Sequence, residues 1–191
     1  MTDRFQPYII GIGGTAREGS TTEKAVKIAL EAAEQAGART KLFGGAFLSR
    51  LPLFNNEHPT RTDEEKELIE AVRAADGLII GTPAYHGGVS GVVKNAIDVI
   101  EDTARDERVY LDGRAVGLIV TAYGWQATGT TLSSMRSIVH ALRGWPTPMG
   151  AALNATGGLF DEDGQPKEPG VANTLAIIGQ QVVQFANWVH V

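Results

Sequence analysis

The chain has 191 residues, 43% of them hydrophobic and 20% charged; at roughly 150 residues per domain this is one unit with a sizeable core, which excludes disorder, collagen-like repeats and coiled coil for the whole chain. It contains no cysteine, which excludes disulfides, thiolate metal sites, iron–sulfur ligation and cysteine nucleophiles and fits a reducing compartment. Seventeen Lys and Arg against 22 Asp and Glu leave a net charge of −5, where a nucleic-acid binder would carry a basic surplus.

Taken in chain order, Tyr8-Ile9-Ile10-Gly11-Ile12 is a short β-branched burst that empties into glycines, the pattern of a buried strand and a loop. From Thr22 to Ala36, Ala25, Ile28, Ala29, Ala32 and Ala36 recur at helical spacing among charged neighbours, and Gly37 is placed to end that helix. Ala38–Phe43 reads as a second strand. Gly44–Thr60, with Pro52, Pro59 and Asn55-Asn56, reads as a long loop whose Leu51, Leu53 and Phe54 either meet another subunit or fold back onto the core. Thr62 and Glu65 have capping-box spacing, so a helix is expected over Asp63–Ala75. Gly77–Thr82 is an apolar strand, Pro83–Gly91 a glycine-rich turn, and Val92, Val93, Ala96, Ile97 and Ile100 mark the next helix. The cycle repeats with a strand Ala115–Thr121, a loop Ala122–Gly129, and a helix carrying Leu132, Met135, Ile138, Val139 and Leu142 on one face. A fifth strand, Met149–Leu153, precedes the polar turn Asp161–Gly164 and a last helix with Val171, Leu175, Ile178, Val182, Phe185 and Val189.

Strands that are apolar throughout and separated by helices are what a parallel sheet covered on both faces requires, so the expected fold is a doubly wound α/β sandwich. Ligands bind outside the carboxyl ends of such strands, which points to the loops after the first, third and fourth. The longest apolar runs, such as Val116–Thr121, fall far short of the roughly 20 residues a membrane-spanning helix needs, and Met1-Thr2-Asp3-Arg4 carries no apolar signal region. The expectation is one domain over residues 1–191 of a soluble, cytoplasmic protein, with no nucleic-acid or membrane partner.

Gly11-Ile12-Gly13-Gly14-Thr15-Ala16 matches the dinucleotide fingerprint in its looser form, but that site also needs a helix opening inside the motif and an acidic residue ending the second strand. Here Gly19 and a run of hydroxyl residues delay the helix to about Thr21, and the second strand ends in Lys41-Leu42-Phe43-Gly44-Gly45. A second reading is that Thr15, Arg17, Ser20, Thr21 and Thr22 surround a phosphate monoester. Backbone N–H groups at a helix N-terminus, the helix dipole, several hydroxyls and one guanidinium suffice for a dianion. A third is that Ser20 or Thr21 caps the helix while Arg17 is solvated. Lys94 and Asp98, one helical turn apart, read as an ion pair or an interface contact. The four histidines, His58, His86, His140 and His190, show no metal-ligand spacing, and neither a Gly-x-Ser-x-Gly elbow nor a Gly-Lys-Ser/Thr phosphate loop is present.

The second loop, Thr82-Pro83-Ala84-Tyr85-His86-Gly87-Gly88-Val89-Ser90-Gly91, is followed by Val92-Val93-Lys94-Asn95-Ala96-Ile97-Asp98. With the first loop it forms a pattern that resembles the NADPH-dependent FMN reductase family, from the first strand to about Leu153. The resemblance implies a flavodoxin-like, doubly wound five-stranded parallel sheet in a three-layer α/β/α sandwich, with FMN as cofactor and NADPH, or NADH, as co-substrate. It also implies that Thr15, Arg17, Ser20, Thr21 and Thr22 bind the FMN phosphate while Pro83, Ala84, Tyr85, His86 and Gly87 line the isoalloxazine. A glycine-rich turn suits that role because its N–H groups approach the flavin edge closely and stabilise the negative charge that reduction creates.

No catalytic side chain and no metal are expected, since hydride transfer to a flavin needs no protein proton donor in that step. Tyr85 then packs beside the ring, and His86 acts through its backbone. The third loop, Ala122-Tyr123-Gly124-Trp125-Gln126, departs from the small, glycine-rich segment usual in the family. Tyr123 and Gly124 are assigned to the cofactor site, while Tyr123 and Trp125 either wall the flavin and nicotinamide or anchor an interface. Thr15 in place of serine and the lack of a proline before Gly91 are smaller departures. The implied activity takes hydride from NADPH onto FMN and passes electrons to a small-molecule acceptor, such as a quinone or free flavin destined for a flavin-dependent monooxygenase. A quinone or azo reductase with the same site, a non-enzymatic flavodoxin-like electron carrier or FMN-binding module, and a nucleotide-binding regulator are the rival readings. A homodimer or homotetramer is implied as well.

Overall fold

Six strands and six α-helices account for most of the chain in the computed structural model, which describes residues 5–58 and 60–190. Met1–Arg4, Pro59 and Val191 lie outside the described residues, and with them the expectation made for the N-terminus.

The strands are β1 (Tyr8–Gly13), β2 (Arg39–Phe43), β3 (Gly77–Tyr85), β4 (Gly88–Val89), β5 (Ala115–Ala122) and β6 (Trp145–Asn154). Five of them form a parallel sheet in the order β2-β1-β3-β5-β6, and the two-residue β4 folds back antiparallel on the end of β3. The chain leaves β1 toward β2 on one side and returns to β3 on the other, so the crevice at the carboxyl ends of β1 and β3 is a topological switch point.

The helices are α1 (Thr21–Gln35), α2 (Gly45–Leu48), α3 (Asp63–Ala74), α4 (Gly91–Asp98, continued as a 3-10 turn Val99–Thr103), α5 (Trp125–Ala141) and α6 (Pro169–Val189). Successive strand residues feed opposite faces, as the pleat requires. Ile9, Ile79 and Ile119 pack with Ala25, Val26 and Ala29 of α1 and Leu175, Ile178 and Val182 of α6. Ile10, Ile12, Leu78, Ile80 and Leu118 pack with Leu68 and Val72 of α3, Val93 and Ile97 of α4, and Met135 and Val139 of α5. The three-layer α/β/α sandwich follows directly from this alternation.

Several local expectations hold. The Thr62–Glu65 capping box is formed in both directions, α1 closes with Gly37 N–H on Glu34 O and Ala38 N–H on Ala33 O, and Lys94 pairs with Asp98 at 2.6 Å. Four boundaries differ. The stretch Gly44–Thr60 contains the short α2, whose Phe47 and Leu48 are buried, so it is not loop throughout. Residues Pro83–Tyr85 continue β3, and the turn narrows to His86-Gly87. The loop expected over Ala122–Gly129 is helix from Trp125 onward; its first turn carries no apolar stripe, so no helical period marks it in the sequence. The last strand starts at Trp145, four positions before Met149: β6 lies on the sheet edge, where Pro146 and Pro148 cost no ladder bond that a neighbour needs, and Gln181 Oε1 accepts the Met149 N–H.

In the β2–α3 connection the folding-back reading holds for Leu51 and Phe54. Leu51 is buried in the core and Phe54 packs against it, whereas Leu53 is 87% exposed. The Asn95 amide fixes this geometry by accepting from Phe54 N–H and donating to Pro52 O, both at 2.8 Å.

Candidate active site

The loop after β1 turns directly into α1, and Ser20 is its N-cap, its Oγ accepting the Glu23 N–H at 3.3 Å. The capping reading is therefore correct for Ser20. A helix start leaves its first amides without partners, here those of Thr21 and Thr22, while the Ser20 hydroxyl keeps its proton to donate. Arg17 is exposed, and among the described residues neither its guanidinium nor the Thr21 hydroxyl bonds a protein acceptor. Two of the assigned hydroxyls are otherwise engaged. Thr15 Oγ1 accepts the Arg17 N–H at 3.0 Å and donates to Arg17 O at 3.3 Å, folding the loop on itself. The buried Thr22 hydroxyl bonds that of Thr121 at 2.6 Å, tying the start of α1 to the end of β5.

The loop after β3 is a hairpin. Tyr85 pairs with Gly88 around His86 and Gly87, whose φ of 52° and 78° give a turn with two left-handed residues, the geometry that matches strand twist and that favours glycine. Thr82 Oγ1 accepts the Ser90 N–H at 3.0 Å and holds the base of the hairpin. Pro83 and Ala84 are buried, while Tyr85, 58% exposed, and His86 stand out at the end of the hairpin. After β5, Gly124 (φ 128°) is the pivot between Tyr123, 87% exposed, and Trp125, 69% exposed. Asn154 Oδ1 at the end of β6 accepts both Gly124 N–H at 3.1 Å and Thr156 N–H at 3.0 Å, bracing that pivot.

These loops close around a cleft of about 160 Å³, lined by Thr15, Arg17, Ser20, Thr21 and Thr22 at one end and by Pro83, Ala84, Tyr85 and Tyr123 at the other. A wider hollow of about 610 Å³ carries His86, Gly87, Gly124 and Trp125, and Tyr123 lines both. All twelve residues assigned from the sequence thus line one of two spaces with a shared wall. Thr121, Ala122 and Ala155 also line the cleft and were missed, as was the brace Asn154, because an apolar strand end or a lone Asn carries no motif. The arrangement suits a flat, anionic ligand: charge-assisted and N–H donors at one end, backbone beside an apolar slot at the other, and a second space open to solvent. Among the described residues no cluster of three His, Asp or Glu could hold a metal ion.

Comparison with known proteins agrees with this geometry. Residues 7–157 match the model of the NADPH-dependent FMN reductase family. An FMN-dependent NADPH-azoreductase of Staphylococcus aureus is 38% identical over 99 residues, 52% of this chain and 49% of that protein, so the match spans about half the length of that relative. Among solved structures, the NAD(P)H:(acceptor) oxidoreductase FerB of Paracoccus denitrificans superposes with a TM-score of 0.73 at 19% identity, covering 97% of this chain and 98% of its own. A WrbA-like flavodoxin of Agrobacterium tumefaciens superposes with a TM-score of 0.62 at 17% identity, covering 95% and 96%. At those identities the likeness establishes the flavodoxin-like fold, and the family match covers most of the chain. The chain belongs to the NADPH-dependent FMN reductase family.

Proposed function

We propose that this protein binds FMN in the cleft at the switch point and works as an NAD(P)H-dependent flavin oxidoreductase. The observation that carries the reading is the convergence on one cleft of the Arg17–Thr22 donors and the Pro83–Tyr85 end of β3, with His86 and Gly87 in the adjoining hollow. Bound FMN supplies the redox chemistry, taking hydride from a reduced nicotinamide and passing electrons to a second acceptor. The protein's share is binding and orientation. Arg17, the Ser20 and Thr21 hydroxyls and the first amides of α1 hold the phosphate. Thr15 and Thr22 serve that end by shaping the loop and anchoring the helix. Pro83, Ala84, Tyr85, His86 and Gly87 offer backbone to the flavin edge, with Tyr123 and Gly124 closing the side toward the wider hollow. No side chain is required as an acid or base.

The acceptor is a small molecule: free flavin for use by a flavin-dependent monooxygenase, a quinone, or an azo compound as the name of the S. aureus relative suggests. A homodimer or homotetramer of single-domain chains in the cytoplasm, where reduced nicotinamide is supplied, completes the proposal. Leu53, held outward by Asn95, is the contact we assign to it.

The deciding experiment is an anaerobic titration of the FMN-loaded protein with NADPH, followed at the oxidised-flavin band. Bleaching by about one equivalent is expected. Bound FMN that stays oxidised until dithionite is added would make the protein an electron carrier, and a protein that retains no added FMN would remove the reading altogether.

A further inference from the structure

Glu23 sits in the first turn of α1, beside the place assigned to a phosphate dianion, where its own negative charge works against binding. Its contacts supply a reason for its presence. One carboxylate oxygen accepts the Gly19 N–H at 3.1 Å and the other accepts the Gly45 N–H, at the first residue of α2, at 2.6 Å. The same residue's N–H bonds Ser20 Oγ. The loop is also seated on α2 by contact, since a Cβ at Gly45 would stand 2.5 Å from Arg17 O and 2.7 Å from Thr15 O. At Gly44 a Cβ would stand 2.8 Å from the Glu23 carboxylate. Loop, helix start and α2 are therefore one assembly, and a single carboxylate holds the two segments that flank Arg17.

We propose that Glu23 is a positioning residue for the phosphate end of the site, resting on the FMN reading above: it touches no ligand, but clamps the Thr15–Gly19 loop against the Gly44-Gly45 pair so that Arg17 and the first amides of α1 converge. A carboxylate is needed because both partners are N–H donors; in Glu23→Gln the amide oxygen serves one of them and the amide nitrogen opposes the other. Charge and position then predict opposite signs. Removing the charge alone tightens binding of a dianion, whereas loosening the clamp weakens it.

The test is fluorescence titration of apoprotein with FMN and with riboflavin, which lacks the phosphate, for wild type, Glu23→Gln and Gly45→Ala, with thermal melts confirming that each variant is folded. Wild type is expected to prefer FMN; no preference would overturn the phosphate site itself, and with it the proposed function. Given that preference, Glu23→Gln should weaken FMN about tenfold and riboflavin less than twofold, and Gly45→Ala, which pushes on the same loop from below, should lower the FMN preference likewise. Tighter or unchanged FMN binding in Glu23→Gln would overturn the clamp. So would an equal loss for both ligands, which is what a merely structural residue gives. Should Glu23→Gln not fold, Gly45→Ala decides by the same criterion.

Discussion

Arg17 stands exposed at the mouth of the cleft with its guanidinium free of protein acceptors among the described residues, so the cost of fixing it is recovered only when an anion arrives. A guanidinium–phosphate pair in a part-open site contributes about 1.5–3 kcal/mol. Arg17→Ala should therefore weaken FMN by about 10- to 150-fold and leave riboflavin within a factor of two, as read from equilibrium titration. An unchanged FMN dissociation constant would return Arg17 to the solvated role that the sequence also allowed. Thr15 and Thr22 are expected to behave otherwise, since their hydroxyls are engaged within the protein and their loss acts through loop shape and through the α1–β5 tie.

At the scale of elements, what could be read from the sequence was what carries a period or a cap. The parallel strands, the capping box at Thr62 and the helix end at Gly37 are local rules, and each is satisfied as expected. The unread parts are settled by distant partners. The opening turn of α5 shows no apolar stripe because it forms the exposed wall of the site, and β6 runs through two prolines because it lies on an edge with Gln181 of α6 behind it. Arg114 is the strongest instance. It precedes β5 without any motif, yet it is 1% exposed, and its guanidinium donates to Ala75 O, Tyr110 O and Arg73 O at 2.8, 2.8 and 3.0 Å. It thereby locks the end of α3 to the segment entering β5. Burial, with the charge of Arg108 nearby, pushes it down to about 10, still far enough above neutrality to keep it charged. Arg114→Leu removes that donor from three carbonyls at the opposite end of the sheet from the cleft. A loss of about 3–5 kcal/mol is expected by chemical denaturation, with the FMN affinity of the folded protein unchanged. A loss below about 1 kcal/mol would mean that water replaces the guanidinium without strain.

At the scale of the whole molecule, the proposed homo-oligomer makes a prediction at Leu53. Leu53 is 87% exposed, yet Asn95 fixes the backbone on either side of it, so a partner would meet a preorganised contact and pay little ordering entropy. Phe54 lines an adjacent groove floored by Ile97, Ile138 and Leu142, with Lys94, Asp98 and Glu101 along it. An isologous dimer would set the Leu53 of each copy into the groove of the other about a two-fold axis. Burying each Leu53 would contribute about 1.5–3 kcal/mol, and symmetry counts it twice. Leu53→Asp should then raise the dimer dissociation constant by at least about 100-fold, read by sedimentation equilibrium against the 20.3 kDa chain. The competing face is at the other end of the sheet, where Trp145 and Trp188 are 60% and 66% exposed. A wild-type monomer would remove the dimer, and a dimer that Leu53→Asp leaves intact while Trp188→Lys breaks it would move the interface away from Leu53.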